Sequence, residues 1–557
     1  MIQNKITVHG QIVKLFNDPV DIDDLKEQPC EVADYYRHEL RNTQYLLPDH
    51  VFSDIEKKIL IINMKHLSCH SKYLTQLLKV INYEDEGQVQ YALKILRSPR
   101  TKKCEDLYCT GTCSETLKFD DIINILYSCA KYLPNDMLTY LFDLLNEMSI
   151  DLILCGCTFL ANLIPLHRHL HTYIYNLFSR DITLMYRCYW QLSIALDTST
   201  PLQINLIHSY ISLINESLVY QMHREYLFFA RLIDALDEPR HFLSDSMKMP
   251  IHVPYNPNII LYSAYIDDIE IKDSHTKPVV IPFESSIGKI KLLFKRESVH
   301  NDHCVLNLTR VVNILLKAVL EIDFDLVTYS AMPLTANSGI VEYVSEAETL
   351  HKLAKEKRAI SQFLFDENDD ESAPSINKIK STYICSLAGY TLLGYFLGFG
   401  DRHLQNVMIT RRGSLFHIDF SYILGTNAYP LTGSEMQLTC DMVSVIGGTK
   451  SKYYRKYLDY CSRGVLVLKK YFNLFYITLV QHQNPEKVKP FILERFQPRQ
   501  SDSTIVKELM AIIERSHGSI PDPIRDVLRY HTKDISISKI MASLTSAVKI
   551  VGLIGLL

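Results

Sequence analysis

From about residue 55 to residue 232 apolar residues recur with the period of an α-helix, segment after segment, and near residue 250 that rhythm stops. Val89, Ala92, Leu93 and Leu96 fall at i, i+3, i+4 and i+7, one stripe of an amphipathic helix. Ile122, Ile125, Leu126 and Cys129 repeat the spacing, as do Leu138, Leu141, Phe142 and Leu145. Asn135, directly after Pro134, stands where a helix cap is expected. Short helices in series can bury their stripes only against one another, which predicts a helical solenoid, although no fixed-period repeat accompanies it. Pro239, Pro250, Pro254 and Pro257 then mark a linker over 238–257. Beyond it come β-like runs at Asn258–Ile269, Pro278–Phe283 and Lys289–Lys295. A helix follows, with Val305, Leu308, Val312, Leu315, Leu316 and Val319 expected inward, then strand-like pieces at Leu326–Thr328 and Ile340–Val344. From Ile376 to His517 the pattern is mostly helical, broken by a strand pair around Val407–Phe420.

A chain of 557 residues is too long for one ordinary domain and suggests about two to four. With 47% apolar and 22% charged residues it is neither disordered nor of low complexity. Lys and Arg number 59 against 63 Asp and Glu, a net charge of −4, so nucleic acid is not the expected partner. Thirteen scattered cysteines and an N-terminus without a signal-peptide layout predict free thiols in a reducing, intracellular setting. No internal stretch reads as a membrane span.

The run Gly400-Asp401-Arg402-His403-Leu404-Gln405-Asn406, followed by His417-Ile418-Asp419-Phe420, carries the chemistry. Phosphoryl transfer needs a group that orients the attacking hydroxyl, ligands for a divalent cation, and cations on the triphosphate. An Asp five residues before an Asn is the spacing of a kinase catalytic loop, and a second Asp leading an Asp-Phe-Gly-like turn supplies the other metal ligand. The order here is Asp-Arg-His rather than His-Arg-Asp, so His403 sits in the same loop as Asp401. A small β-rich lobe before a larger helical lobe is also how kinases are built, though fold alone does not carry function.

These residues resemble the phosphatidylinositol 3-kinases, most closely the class III type. Gly400–Asn406 looks like that family's catalytic loop and Leu415–Gly425 like its metal-binding turn. Gly447-Gly448-Thr449 with Ser451, Tyr454 and Cys461 resembles a stretch associated with class III. Gly339–Val344 is similar to the adenine-binding hinge, Leu293-Phe294-Lys295 to the strand bearing the phosphate-binding lysine, and Leu74–Leu96 to the start of the helical accessory domain. The resemblance covers roughly Tyr36 to Asp534. It implies an α+β multidomain fold: a helical accessory domain over 51–237, the 238–257 linker, a bilobal kinase-like catalytic domain with its β-rich N-lobe and hinge at 258–344 and its mainly helical C-lobe at 345–534, and an apolar tail at 535–557. Residues 1–50 would be an N-terminal segment, with the family's lipid-binding β-sandwich absent or reduced to a remnant, a trimmed enzyme. Lys295 would contact ATP phosphate, Glu342, Tyr343 and Val344 would frame the adenine, and Ser274 would cover the phosphates. Asp401 and His403 would orient and deprotonate the inositol hydroxyl, in a division of labour the sequence leaves open. Asn406 and Asp419 would hold Mg²⁺ or Mn²⁺, a set of oxygen ligands suited to such ions. The implied partners are phosphatidylinositol in membranes, a regulatory pseudokinase-like subunit and adaptor proteins. The implied setting is cytoplasmic, peripheral on endosomal or other endomembranes, in vesicle traffic and autophagy.

Three departures stand out. The family's Gly-Asp-Asp-Leu-Arg-Gln-Asp after the lysine is here Arg296-Glu297-Ser298-Val299-His300-Asn301-Asp302, and with Asp302 aligned to the final Asp the stretch from the lysine is one residue shorter. Ser421 replaces the glycine of Asp-Phe-Gly, and the β-sandwich is missing or reduced. The activation loop, Ser421–Thr449, holds no Lys or Arg but does hold Glu435 and Asp441. A headgroup already phosphorylated would find no cations there, so the loop suits unphosphorylated phosphatidylinositol. A phosphatidylinositol 4-kinase is the alternative lipid kinase, disfavoured by Tyr422-Ile423-Leu424-Gly425 and the Gly-Gly-Thr segment. A related protein kinase lacks support because its characteristic C-terminal domain has no match. A pseudokinase scaffold is the alternative of another class, kept open by the altered Arg296–Asn301 stretch.

Other features read more plainly. His417 is expected as a packed strand histidine and Trp190 as helical core. Cys104, Cys109 and Cys113 lack a fourth ligand at zinc spacing, His66, Cys69 and His70 read as ordinary helix residues, and Asp366–Glu371 as a solvated loop. Ile524–Asp534 resembles the family's terminal membrane-touching helix. Apart from Lys549 the final 18 residues are uncharged, short of the roughly 20 needed to span, which leaves an interfacial helix, a tail anchor or a partner-packed helix.

Overall fold

The computed structural model describes residues 42–62, 71–97, 117–247, 250–272, 276–365, 375–426 and 438–516. Ser274, Cys104, Cys109, Cys113, His66, Cys69, His70, the Asp366–Glu371 run, Glu435 and the C-terminal tail lie outside them, as do residues 1–41. The chain is of mixed α+β type, a helical N-terminal region followed by a β-sheet and then a mostly helical region. It divides into two compact units. One takes the residues up to Ser298 with Met332–Ile340 and Lys470–Ile492, and the other takes Val299–Ala331, Val341–Lys469 and the residues from Leu493 on.

In the first unit helices run from Asp54–Ile62 to Pro239–Ser246. Their starts are written locally. Asp181 caps its helix through the Thr183 N–H at 2.7 Å, and Thr200 and Gln203 form a capping box with Pro201 at the first position. The stripes behave as their spacing predicts. Ile122, Ile125, Leu126 and Cys129 are buried, as are Leu138, Leu141, Phe142 and Leu145, and Trp190 is 1% exposed in Ile182–Leu196. Two expectations change. Pro134, not Asn135, is the capping residue of Asn135–Glu147, and no side chain caps that end. The prolines near 240 do not make an irregular linker throughout, because Pro239 opens the helix Pro239–Ser246, a position where its missing N–H has no consequence.

A seven-stranded sheet follows, ordered β1-β2-β4-β5-β7-β6 with β3 on β4. Its strands are β1 (Ile251–Val253), β2 (Asn256–Ala264), β3 (Glu270–Ile271), β4 (Val279–Ser285), β5 (Gly288–Lys295), β6 (Ala331–Thr335) and β7 (Ser338–Glu342). Strands β4 and β5 form an antiparallel ladder from Ser285↔Gly288 to Val279↔Phe294. Leu326–Thr328 is not a strand.

The second unit is built on three helices that pack together, His300–Leu320, Ile376–Leu397 and Lys452–Lys469. Gly464 permits the last pair to approach, since a Cβ there would stand 2.4 Å from Leu392 Cδ1. A small antiparallel sheet joins β8 (Ala347–Thr349), β9 (Val407–Thr410) and β10 (Leu415–His417). Among the described residues His300–Leu320 is long and apolar enough to cross a membrane, but Val305, Leu308, Val312 and Leu316 are buried within the unit. Val319, expected inward, is 54% exposed, as the helix has run past its packing partners.

A buried ionic group ties two helices of the first unit. Lys72 donates to Asp120 and, at 3.3 Å, to Asp121, whose side chains are 3% and 1% exposed. Burial works against the Lys72 ammonium, but Asp120 and Asp121 more than offset it, so its proton is held more tightly than in an ordinary lysine of 10.5. The contribution is therefore complete below that value and lost only in strong alkali. Lys72→Met should lower the unfolding free energy by about 3–5 kcal/mol at pH 7, because two buried carboxylates lose their cation. The loss should shrink near pH 4, because burial raises the Asp120 pKa and its protonation removes part of the uncompensated charge; urea titrations at both pH values test this, and an equal loss would discount the charge.

Candidate active site

The site is built where the helix Ile376–Leu397 stops. Ser375 caps its start, nearly every residue from Thr382 on is buried, and Gly398 ends it in the left-handed region at φ 56°. Leu424 N–H donates to Leu397 O at 2.7 Å and Gly425 N–H to Gly398 O at 3.0 Å, which brings the segment after Asp419 back beside the helix end. Gly400 lies in that junction. Its N–H donates to Tyr422 O at 2.9 Å, and a Cβ would stand 2.0 Å from the Thr426 carbonyl oxygen, so no side chain fits.

Arg402, 5% exposed, joins the two segments from inside. Its Nε donates to Gly400 O at 2.6 Å, Nη1 to Ile418 O at 3.0 Å and Nη2 to Asp419 O, while Phe399 and Phe420 flank the guanidinium at 5.6 and 5.5 Å. Burial lowers its pKa and the charges of Asp419 and Asp401 raise it. Both aspartates hold left-handed backbone, Asp401 at φ 50° and Asp419 at φ 58°. Asp tolerates that region better than most residues, and such angles persist where surrounding contacts impose them.

Around this cation the loop presents its polar groups. His403 Nε2 lies 3.5 Å from Asp401 Oδ2, and His403 Nδ1 accepts from Gln405 N–H at 3.2 Å. A neutral ring with Nδ1 accepting must carry its proton on Nε2, so the ring presents Nε2–H toward Asp401. Asn406 Nδ2 donates to Asp401 O at 3.1 Å, which leaves its Oδ1 as the acceptor a cation would use. Asp419 Oδ1 accepts from Ser421 N–H at 3.3 Å and from Ser421 Oγ at 2.7 Å. The glycine expected after Asp-Phe is unnecessary, because the left-handed residue is Asp419 and not Ser421.

The altered stretch docks on the same turn. Asn301 Nδ2 donates to Ser421 O at 3.2 Å, and buried Asp302 accepts Phe420 N–H at 3.3 Å. Glu342 is held at the end of β7: its N–H donates to Ser330 O at 2.8 Å and its Oε2 accepts Ser330 N–H at 2.9 Å. Tyr343 and Val344 follow it directly in the chain. Lys295 belongs to the other unit, 8% exposed and 3.3 Å from Glu297. His417 is stacked on Tyr390 at 4.9 Å, and burial, with Arg402 nearby, pushes its pKa well down, which keeps it neutral. The structure thus gathers Asp401, His403, Asn406 and Asp419 on two joined segments of one unit, with Glu342, Tyr343 and Val344 in that unit as well.

Residues 289–482 match the family described as phosphatidylinositol 3- and 4-kinase. That segment, less than half of the chain, is similar to that family. Relatives include a protein named phosphatidylinositol 3-kinase VPS34 from Arabidopsis thaliana, 28% identical over 296 residues, 50% of this chain and 36% of the relative. Phosphatidylinositol 3-kinase pik3 of Schizosaccharomyces pombe is 28% identical over 307 residues, 52% of this chain and 38% of that protein. The phosphatidylinositol 3-kinase catalytic subunit type 3 of Caenorhabditis elegans is 26% identical over 311 residues, 51% and 34% of the two chains. The chain spans little more than a third of the length of these relatives.

Within the matched segment, sequence reasoning assigned no contact to Arg402, Asn301, Asp302 or Ser421. Arg402 was visible as the middle of the Asp-Arg-His run and Ser421 bonds Asp419 two positions away, whereas the Asn301 and Asp302 contacts join residues about 120 positions apart and leave no local signal. Arg402→Lys should lower stability by about 2 kcal/mol, since one ammonium cannot reach three carbonyls, and should abolish nucleotide-dependent turnover. Urea unfolding and a turnover assay check this, and full activity would separate Arg402 from the site.

Proposed function

We propose that this chain is a lipid kinase that moves the γ-phosphate of ATP to the 3-hydroxyl of phosphatidylinositol, giving phosphatidylinositol 3-phosphate on endomembranes. The observation that carries the reading is the loop of Asp401, His403 and Asn406 locked by Arg402 against Asp419. In the step, the inositol oxygen forms a bond to the γ-phosphorus, the bond from that phosphorus to the β–γ bridging oxygen breaks, and ADP leaves. Asp401 takes the hydroxyl proton, and His403, with Nε2–H directed at Asp401, orients the carboxylate. Lys295 contacts the phosphates, and Tyr343 and Val344 meet the adenine edge.

A divalent cation, Mg²⁺ or Mn²⁺, would neutralise phosphate charge. Asn406 Oδ1 and the Asp419 carboxylate are hard oxygen donors of the kind such an ion takes together with substrate phosphates. The 3-hydroxyl rests on likeness to relatives named phosphatidylinositol 3-kinase; the endosomal and autophagic setting and the regulatory and adaptor partners rest only on the resemblance read from the sequence motifs. The absence of Lys and Arg from Ser421–Thr449 favours the singly charged headgroup over its phosphorylated forms.

Radiolabelled ATP is offered with vesicles of phosphatidylinositol, its 4-phosphate or its 4,5-bisphosphate, with Mg²⁺ or Mn²⁺, and products are separated by ring position. Phosphatidylinositol 3-phosphate from the first lipid alone is the expected result. A 4-phosphate product would reassign the chain as a 4-kinase, and no product despite bound ATP would favour a scaffold. Asp401→Asn should reduce turnover by about 10²–10⁴, the range of a lost general base. A larger loss in His403→Gln would move that role to the ring.

A further inference from the structure

The Arg296–Asn301 stretch departs from the family pattern where the strand bearing Lys295 ends, and its first residue makes a contact that gives the departure a use. Arg296 reaches the C-terminus of the helix Glu216–Asp234. Its Nε donates to Ile233 O at 3.2 Å, Nη2 to Asp234 O at 3.1 Å and Nη1 to Asp237 Oδ1 at 2.7 Å. The last carbonyls of a helix have no partners inside it, and a cation there also meets the negative end of the helix dipole.

Side chains along a strand alternate between faces, and that alternation sorts the residues around Lys295. Phe294 stacks on Phe229 of the same helix, ring centroids 6.4 Å apart at 24°, and touches Phe283 of β4 at 6.4 Å. Phe294 and Arg296 thus both turn to the helix. Lys295 and Glu297 share the opposite face and pair at 3.3 Å. Phe294↔Val279 is the last register pair between β5 and β4, so Lys295 stands one residue beyond that ladder. On its other edge β5 runs beside β7, and one helix grips the residue before Lys295 and the residue after it.

We propose that Arg296 is a positioning residue for ATP, through which the last helix turn of Glu216–Asp234 sets Lys295 against the nucleotide phosphates. The proposal rests on the role given to Lys295 above. A flexible residue at 296 would loosen the chain directly after Lys295. The lysine would then meet the phosphates from a spread of positions, weakening nucleotide binding without touching the lipid substrate.

The test uses the full chain and a fluorescent ATP analogue with Mg²⁺, read by direct titration, with ATP and phosphatidylinositol kinetics alongside. Arg296→Ala should weaken nucleotide affinity and raise the KM for ATP about tenfold, the scale of one or two lost charge-assisted bonds, while the KM for phosphatidylinositol stays the same. Arg296→Lys should recover part of the loss, since one ammonium can still reach a helix carbonyl. Asp237→Asn removes one contact at an exposed carboxylate and keeps the comparison readable if Arg296→Ala folds poorly; its expected shift is in the same direction and smaller. A lowered melting temperature with nucleotide affinity unchanged in Arg296→Ala and Asp237→Asn would make the contact a structural cap and overturn the proposal. Lys295→Met separates the two readings. If Lys295→Met loses nucleotide and Arg296→Ala does not, only this proposal falls; if Lys295→Met binds as the parent does, the role of Lys295 falls and takes this proposal with it.

Discussion

A single buried guanidinium holds the catalytic segment in shape. Arg402 donates to the carbonyls of Gly400, Ile418 and Asp419, and those acceptors come from two segments that have no ladder of their own at this point. The planar fork of arginine can serve three acceptors in fixed directions, which lysine cannot. Its charge also lies among the residues that need it. Asp401 and Asp419 both favour the charged form of Arg402, and by reciprocity the guanidinium favours both carboxylates as anions. The two carboxylates thereby share one compensating cation.

The same interaction explains why the backbone angles are tolerable. Asp401 and Asp419 sit in the left-handed region, and the residues that would relieve them are fixed: Gly400 by contact with Thr426, Phe420 by Asp302, and Ser421 by Asp419 itself. A glycine after Asp-Phe would supply freedom where none is used. The serine instead supplies a hydroxyl that orients the Asp419 carboxylate.

Legibility followed the range of the interaction. The helical stripes at Ile122–Cys129 and Leu138–Leu145 could be read because burial repeats with the period of the helix, and the catalytic run could be read because its spacing lies within one loop. Pro239 was misleading because proline both breaks a helix and begins one; only the residues after it decide which. Val319 fits its stripe yet is exposed, since periodicity marks a face but not where the partner ends. Asp302, Asn301 and Arg296 act across long stretches of chain, and nothing local distinguishes them from surface polar residues.

The acidic residue in the described part of the activation loop illustrates the difference between charge count and charge placement. Asp441 adds negative charge to a segment without cations, which by count alone would repel an anionic headgroup. Its Oδ2 accepts Ile360 N–H at 3.1 Å, at the N-terminus of Ile360–Phe365, where a helix end presents partial positive charge. The carboxylate is thus tied to the body of its own unit. Two successive glycines, Gly447 and Gly448 at φ 79° and 80°, then turn the chain, with Gly448 N–H donating to Val443 O at 3.0 Å. Lys450 and Lys452 come only after that turn, so the segment ahead of it carries no basic side chains of its own. A headgroup with one diester charge needs few cations, whereas added phosphates would need paired donors that this segment lacks.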